Sequence, residues 1–240
     1  MASWLGLPVQ ASAHSPQLDR ITILVHALMA VIFVGWSAYF AYVLVRFRRR
    51  RQPAADYHGV RGHWSNWTEA GVAIVEVVLL AAFSIPAWAS RASPAPADAL
   101  TVHVIAQQFS WTFHYPGADG EFGRVDAALI AGDNPAGLDR ASPHAGDDVI
   151  SVNDLHLPLG RAVLVQLSAR DVVHSFGVPA MRIKQDAIPG MSVPVWFTPT
   201  LAGTFDIACS QLCGLAHYRM RATITVVSPD DFAAWLRAQR

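Results

Sequence analysis

The chain has 240 residues, 52% of them hydrophobic and only 15% charged, and its 18 basic and 18 acidic side chains give a formal net charge of zero. It contains no internal repeat, no nucleic-acid module and no nucleotide loop, and no acid–base pair or nucleophile stands out for bond-making chemistry. Its only two cysteines are Cys209 and Cys213, so a Cys-x-x-Cys-His haem attachment site is excluded.

Residues 1–20 lack a charged stretch followed by an apolar one, and read as an external segment without a cleavable leader. From Ile21 to Val45 the chain is apolar apart from Thr22, His26 and Ser37. At about 1.5 Å per residue this run is long enough to cross a hydrocarbon core of roughly 30 Å. A second span, about residues 69–89, carries Glu76 inside it and Pro86 near its far end, where a helix tolerates a kink. The two spans predict a transmembrane helical hairpin over 21–91. Arg46, Arg48, Arg49, Arg50, Arg51 and Arg61 lie between them, against Arg20 and Arg91 at the outer ends, so the connecting loop is cytoplasmic. Both termini are then external, on the periplasmic face of a bacterial inner membrane.

Residues 92–98 form a Pro/Ala linker, after which the texture changes. Short runs at Leu100 to Ile105, Arg161 to Leu167, Val193 to Phe197, Thr204 to Ala208 and Ala222 to Val227 read as strands separated by Gly, Pro, Asp and Asn clusters. That spacing predicts an all-β sandwich or barrel over 99–240, and an α+β protein as a whole. Residues 117–148 read as surface loops around little regular structure. Asp230 to Gln239 reads as a closing helix, capped by Ser228 or Asp230 and packed through Phe232, Trp235 and Leu236.

The densest chemistry is Cys209-Ser210-Gln211-Leu212-Cys213-Gly214-Leu215-Ala216-His217-Tyr218-Arg219-Met220. Thiolate, imidazole and thioether together favour copper over magnesium or calcium, and two thiolates exceed what one blue-copper ion needs. The four, four, three spacing also suits one face of a buried helix, and two cysteines outside the cytoplasm could form a disulfide. Against the helix stand a turn and short strand at Gly203 to Ala208 and the interruption at Gly214.

This segment resembles the dinuclear copper A loop of subunit II of haem–copper (cytochrome c) oxidases. The stretches Asp171-Val172-Val173-His174-Ser175-Phe176-Gly177-Val178-Pro179 and Lys184-Gln185-Asp186-Ala187-Ile188-Pro189-Gly190 carry the same resemblance. It implies two copper ions bridged by Cys209 and Cys213, each capped by one of His174 and His217. Met220 and the backbone carbonyl of Gln211 would be weak ligands. It further implies a Greek-key cupredoxin fold for 99–240 and electron transfer from cytochrome c to the haems of subunit I, where oxygen is reduced to water with proton translocation; the implied partners include subunit III and membrane lipid.

Where the family has Gln-Trp-x-Trp, this chain has Gln108-Phe109-Ser110-Trp111, which makes Phe109 and Trp111 the candidate ridge at which electrons enter. Asp171 is the candidate for donor docking. From Ala99 onward 13 acidic residues face ten basic ones, a mildly acidic balance that suits a basic donor. His114 and Arg170 stand where the family often has acids. Gln211 replaces a Glu whose carboxylate in many members also binds magnesium at the subunit I interface, so magnesium is not implied here. Glu69 resembles a carboxylate at the cytoplasmic mouth of a proton path into subunit I. Glu76, seven residues on and so on the same helical face, is either a second relay or a structural hydrogen-bonding residue. The same copper motif would also fit a nitric-oxide reductase of this superfamily or a non-redox copper-binding or assembly subunit.

Overall fold

The computed structural model describes residues 6–54, 57–58 and 62–239; residues 1–5, Arg61 of the basic loop and Arg240 lie outside the described residues. The chain divides into a helical unit, residues 17–93, and a β unit made of Pro94 onward together with the segment that ends at Pro16.

In the helical unit, α1 (Ser15–Arg46) has 32 residues and a second continuous helix, Trp64–Ala92, has 29. These are about 48 and 44 Å long at about 1.5 Å per residue. Both outrun the apolar spans 21–45 and 69–89, because polar flanks such as Gln17 to Arg20 and Ser65 to Thr68 extend a helix as readily as they end it. The second helix comprises α2 (Trp64–Leu79), a π-helical turn at Leu80–Ser84 and α3 (Ile85–Ala92). Pro86 has no N–H to offer the carbonyl of Ala82, and its ring would crowd that oxygen in an α-turn. The chain meets it with a widened turn in which the Ile85 N–H bonds to Leu80 O. The Arg20 guanidinium lies 5.5 Å from the centre of the Phe83 ring, so the start of one helix adjoins the end of the other. Val31, Phe33, Ile74 and Val77 are all exposed. Helices this apolar, with no core of their own, need lipid or protein around them, and by length and composition both can cross a membrane.

The β unit holds β1 (Leu100–Gln107), β2 (Ser110–Tyr115), β3 (Val149–Val152), β4 (Asp154–Pro158) and β5 (Val163–Ala169). After them come β6 (His174–Val178), β7 (Ile183–Ala187), β8 (Val193–Phe197), β9 (Gly203–Cys209) and β10 (Arg221–Val227). They form two five-stranded sheets ordered β3-β2-β1-β5-β8 and β4-β10-β9-β6-β7, with β1 parallel to β5 and β4 parallel to β10. Alternate residues of β1 and β5 face inward, and Val102, Val104, Val165 and Leu167 meet Leu155, Phe176, Ile207 and Ile224 in one core. This two-sheet sandwich is the all-β domain the strand pattern predicts, in the cupredoxin form that the resemblance implies.

Five strands coincide with predicted runs; β2, β3, β4, β6 and β7 do not. β6 is buried at every position and so shows no alternation, whereas β7 is a mostly polar edge strand. Residues 117–148 are irregular apart from a 3-10 turn at Ala127–Leu129. The closing helix α4 (Pro229–Ala238) is capped by Ser228, whose hydroxyl accepts from the Asp231 N–H, and it buries Phe232.

The segment before α1 is built into the β unit. The Ala11 N–H bonds to Ala180 O at 2.9 Å, Thr200 N–H to Ala11 O at 2.9 Å and Ala13 N–H to Thr198 O at 3.0 Å. The Ser12 hydroxyl donates to Met181 O at 2.8 Å, and Arg182 donates to Pro8 O at 2.7 Å. Ser12 and Ser15 are buried.

The irregular excursion is pinned by a buried polar pair. His114 Nε2 lies 2.6 Å from Asp148 Oδ2, which also accepts from the Gly123 N–H at 2.8 Å. Phe122 stacks on His103, and its ring meets His114 edge-on. Burial dominates at His114 and lowers its pKa despite Asp148, so it is a neutral imidazole that donates from Nε2. Burial, then the neighbouring His114, pushes His103 down to about 4, whereas its ordinary value is 6.5. Between these values the unfolded chain binds more protons than the folded one, so stability present above about 6.5 is lost as pH falls towards 4. Thermal melting of the β unit in detergent should show this slope, and His103→Gln should flatten it in part. An unchanged slope in that variant would assign the effect elsewhere.

Candidate metal centre

Two segments distant in sequence meet at one end of the sandwich. His174 opens β6 and is fully buried; Cys209 ends β9, and Met220 immediately precedes β10. The pairing of Phe176 with Cys209 and of Gly177 with Ala208 sets the first two side by side. The Cys209 N–H bonds to Met220 O at 3.1 Å and closes the base of the loop. The helical-face alternative is thereby removed, since these residues occupy a strand end, a loop and a 3-10 turn at His217–Arg219.

The donor atoms converge. Cys209 Sγ is 3.8 Å from Cys213 Sγ, 3.2 Å from Gln211 O and 3.9 Å from His174 Nδ1. Cys213 Sγ is 3.5 Å from His217 Nδ1 and 3.7 Å from Met220 Sδ. Both cysteines are buried free thiols, which removes the disulfide alternative from this structure. His174, Cys209 and Cys213 alone offer three ligand atoms within 4.8 Å of one another. Burial, then the neighbouring Cys209, pushes the Cys213 thiol up to about 11. A cation between the sulfurs would supply the charge that lets them ionise. Two thiols, two imidazoles, a thioether and a carbonyl form a soft donor set that suits copper and disfavours magnesium or calcium.

Behind the donors, Asp171 Oδ1 accepts from His174 Nε2 at 2.8 Å and from the Val172 N–H at 2.7 Å; its Oδ2 accepts from the Gln108 N–H at 2.7 Å. Partial burial opposes ionisation, but the bonds from His174, Gln108 and Val172 outweigh it and hold this carboxyl below its ordinary range. With Nε2–H donated to Asp171, the Nδ1 lone pair is the one that faces Cys209. Both Asp171 oxygens thus accept from groups of its own chain, while the residue itself stays exposed.

Trp111 requires a correction. It is fully buried, 6.3 Å from the His174 ring and 5.6 Å from Phe176 between ring centres, because alternation in β2 turns it into the core. It does not form a surface ridge. Phe109, in the β1–β2 turn, is half-buried and lies against the loop at Gly214. Gly214 has φ +135, and a Cβ there would come within 2.6 Å of Gln108 Nε2. Leu212, Leu215 and Tyr218 of the same loop are 77%, 96% and 81% exposed. Arg170 turns to Gln107 Oε1 at 2.7 Å and to Pro135 O. Glu69 and Glu76 both lie on α2 in the helical unit and are exposed in this chain. Gln108, which reaches both ligand segments, was hidden in the sequence because its run reads as an aromatic pattern.

Comparison with known proteins agrees with this geometry. The family profile for cytochrome C oxidase subunit II, periplasmic domain, matches residues 100–227. The alternative cytochrome c oxidase subunit 2 of Bradyrhizobium diazoefficiens is 39% identical over 210 residues, covering 87% of this chain and 75% of that one. Cytochrome c oxidase subunit 2 of Cereibacter sphaeroides is 31% identical over 249 residues, 98% of this chain and 80% of that one. Among solved structures, the periplasmic domain of subunit II of cytochrome oxidase (CoxB) of Bradyrhizobium japonicum is 32% identical with a TM-score of 0.46, over 61% of this chain and 96% of that one. The chain belongs to the cytochrome c oxidase subunit II family, and is thereby a subunit of an oxidase complex.

Proposed function

We propose that the chain accepts electrons from cytochrome c at a dinuclear copper A centre and passes them to the haems of subunit I, where oxygen is reduced with proton translocation. The observation that carries this reading is the convergence of two imidazoles, a thioether and a carbonyl on two free thiols. Cys209, Cys213, His174, His217, Met220 and the Gln211 carbonyl would hold the two ions. When bound, the copper pair supplies one-electron redox chemistry with little rearrangement. The chain's own contribution is rigidity: a strand end holds Cys209, a second strand holds His174, and Asp171 fixes the tautomer and orientation of that imidazole. Gln211 needs only its backbone oxygen for this role, and its side-chain amide gives magnesium no carboxylate.

The helical unit would anchor the chain in a bacterial inner membrane, with the β unit on the periplasmic side beside subunit I and subunit III. Phe109, half-buried against Gly214 of the ligand loop, is the remaining candidate for the point where electrons arrive. Glu69 and Glu76 lie about 10 Å apart along α2 and would face subunit I, with Glu69 admitting protons. An ionisable group as deep as Glu76 costs roughly 2.5 to 3.5 kcal/mol against lipid, which favours a protein or water neighbour.

The full chain in detergent should bind two copper ions and give a delocalised mixed-valence signal. Cys213→Ser should abolish that signal and Gln211→Glu should leave it nearly intact; one copper per wild-type chain would refute the reading. Phe109→Ala should slow reduction by cytochrome c about tenfold or more with an unchanged copper spectrum, a rise of roughly 1.4 kcal/mol in the barrier. A wild-type rate would dismiss Phe109. In the intact complex, Glu69→Gln should slow oxygen turnover while reduction by the donor stays fast, and full turnover would exclude a proton-admitting role.

A further inference from the structure

The β1–β2 hairpin turns tightly through Gln108 and Phe109, since Gln107 and Ser110 on either side are paired. Gln108 donates twice. Its backbone N–H bonds to Asp171 Oδ2 at 2.7 Å, directly behind His174, and its side-chain Nε2 bonds to Cys213 O at 2.6 Å. The two acceptors belong to the two segments that carry the ligands.

Strand pairing cannot perform this task for Cys213. The β6–β9 ladder ends at Cys209, and the Ser210 N–H adds one more bond, to Ser175 O at 2.9 Å. Beyond Ser210, the next backbone bond among the described residues is local, from the His217 N–H to Gly214 O at 3.1 Å. Among the described residues, Cys213 therefore sits on a span whose ties to the rest of the sandwich are the Gln108 side-chain amide and the Cys209 thiol at Gln211 O. The missing Cβ of Gly214 lets that span lie directly on the amide.

We propose that Gln108 is a positioning residue that holds the Cys213 segment at a fixed distance from the His174 segment and so sets the spacing of the two sulfurs. It touches neither donor sulfur, and it acts through the Cys213 carbonyl and Asp171. The inference rests on the copper reading only for its spectroscopic arm. The 3.8 Å between sulfurs exceeds the bonding distance of about 2.05 Å. An untied loop should cover that difference more often.

The full chain has only these two cysteines, so disulfide closure of the reduced, copper-free protein in detergent is a single event that can be timed at fixed pH under oxidised glutathione. Gln108→Met keeps the length and removes the donor, and Gln108→Asn keeps the amide but falls one methylene short. Both should close roughly three- to tenfold faster than wild type, the factor one hydrogen bond commonly contributes. Ser110→Ala, in the same hairpin, should match wild type. After copper loading, both Gln108 variants should shift the hyperfine pattern and reduction potential, changes that a general loss of stability would not produce in protein that still melts cooperatively. If either variant fails to fold, the other decides. Wild-type closure rates with an unchanged copper signal would overturn the proposal. Faster closure in a chain that binds no copper pair would overturn the copper reading and leave the tie standing.

Discussion

The site rests on one short stretch of strand pairing, Phe176 opposite Cys209 and Gly177 opposite Ala208. Two backbone pairs place His174 beside a cysteine 35 residues further along the chain, and no side-chain preference in either segment could do so alone. The pairing itself depends on a residue without a side chain, since a Cβ on Gly177 would collide with the Ser210 hydroxyl and lie 2.9 Å from Ala208 O. Once β6 and β9 are in register, the β9–β10 hairpin delivers Met220 through the bond from the Cys209 N–H to its carbonyl. Only the residues between Ser210 and His217 then remain to be folded by a loop, and these include Gln211 and Cys213.

Polar groups around the two sheets follow a common rule. Buried imidazoles here are each oriented by a carboxylate: His174 by Asp171 and His114 by Asp148. The outcomes differ with what lies on the other ring nitrogen. His174 Nδ1 looks towards Cys209, whereas His114 Nδ1 is buried with no hydrogen-bond partner among the described residues. One pair presents a lone pair to a donor cluster. The other fastens an excursion to the sandwich, because Asp148 also accepts from the Gly123 N–H. A carboxylate beside a histidine is thus not by itself a sign of a ligand; the direction of the second nitrogen decides.

Much of this was legible in the sequence, for identifiable reasons. The apolar spans, the alternating strands β1, β5 and β10, the cap at Ser228 and the copper loop all carry local signatures, since period, capping and ligand spacing are written in adjacent residues. Trp111 was legible as a residue but not as a position. Nothing local tells whether an aromatic in a strand faces core or solvent, and the family pattern favoured solvent. The role of Asp171 behind His174 was not legible, because its partners Gln108 and His174 come together only in three dimensions. β6 was missed because burial on both faces removes the alternation that announces a strand, and Gln108 because its importance lies in two contacts separated from it by 63 and 105 residues.

The docking of the N-terminal segment has a topological meaning. Ser12 bonds to a residue 169 positions later, and between them the chain passes through both long apolar helices. Two pieces of chain can touch only on the same side of whatever those helices cross, so the number of crossings between them is even. That parity constraint comes from hydrogen bonds to Ala180, Met181 and Thr198, independently of any count of arginines. It also orders synthesis: Ser12 is made 169 residues before the carbonyl it bonds to, and both apolar helices are made between them.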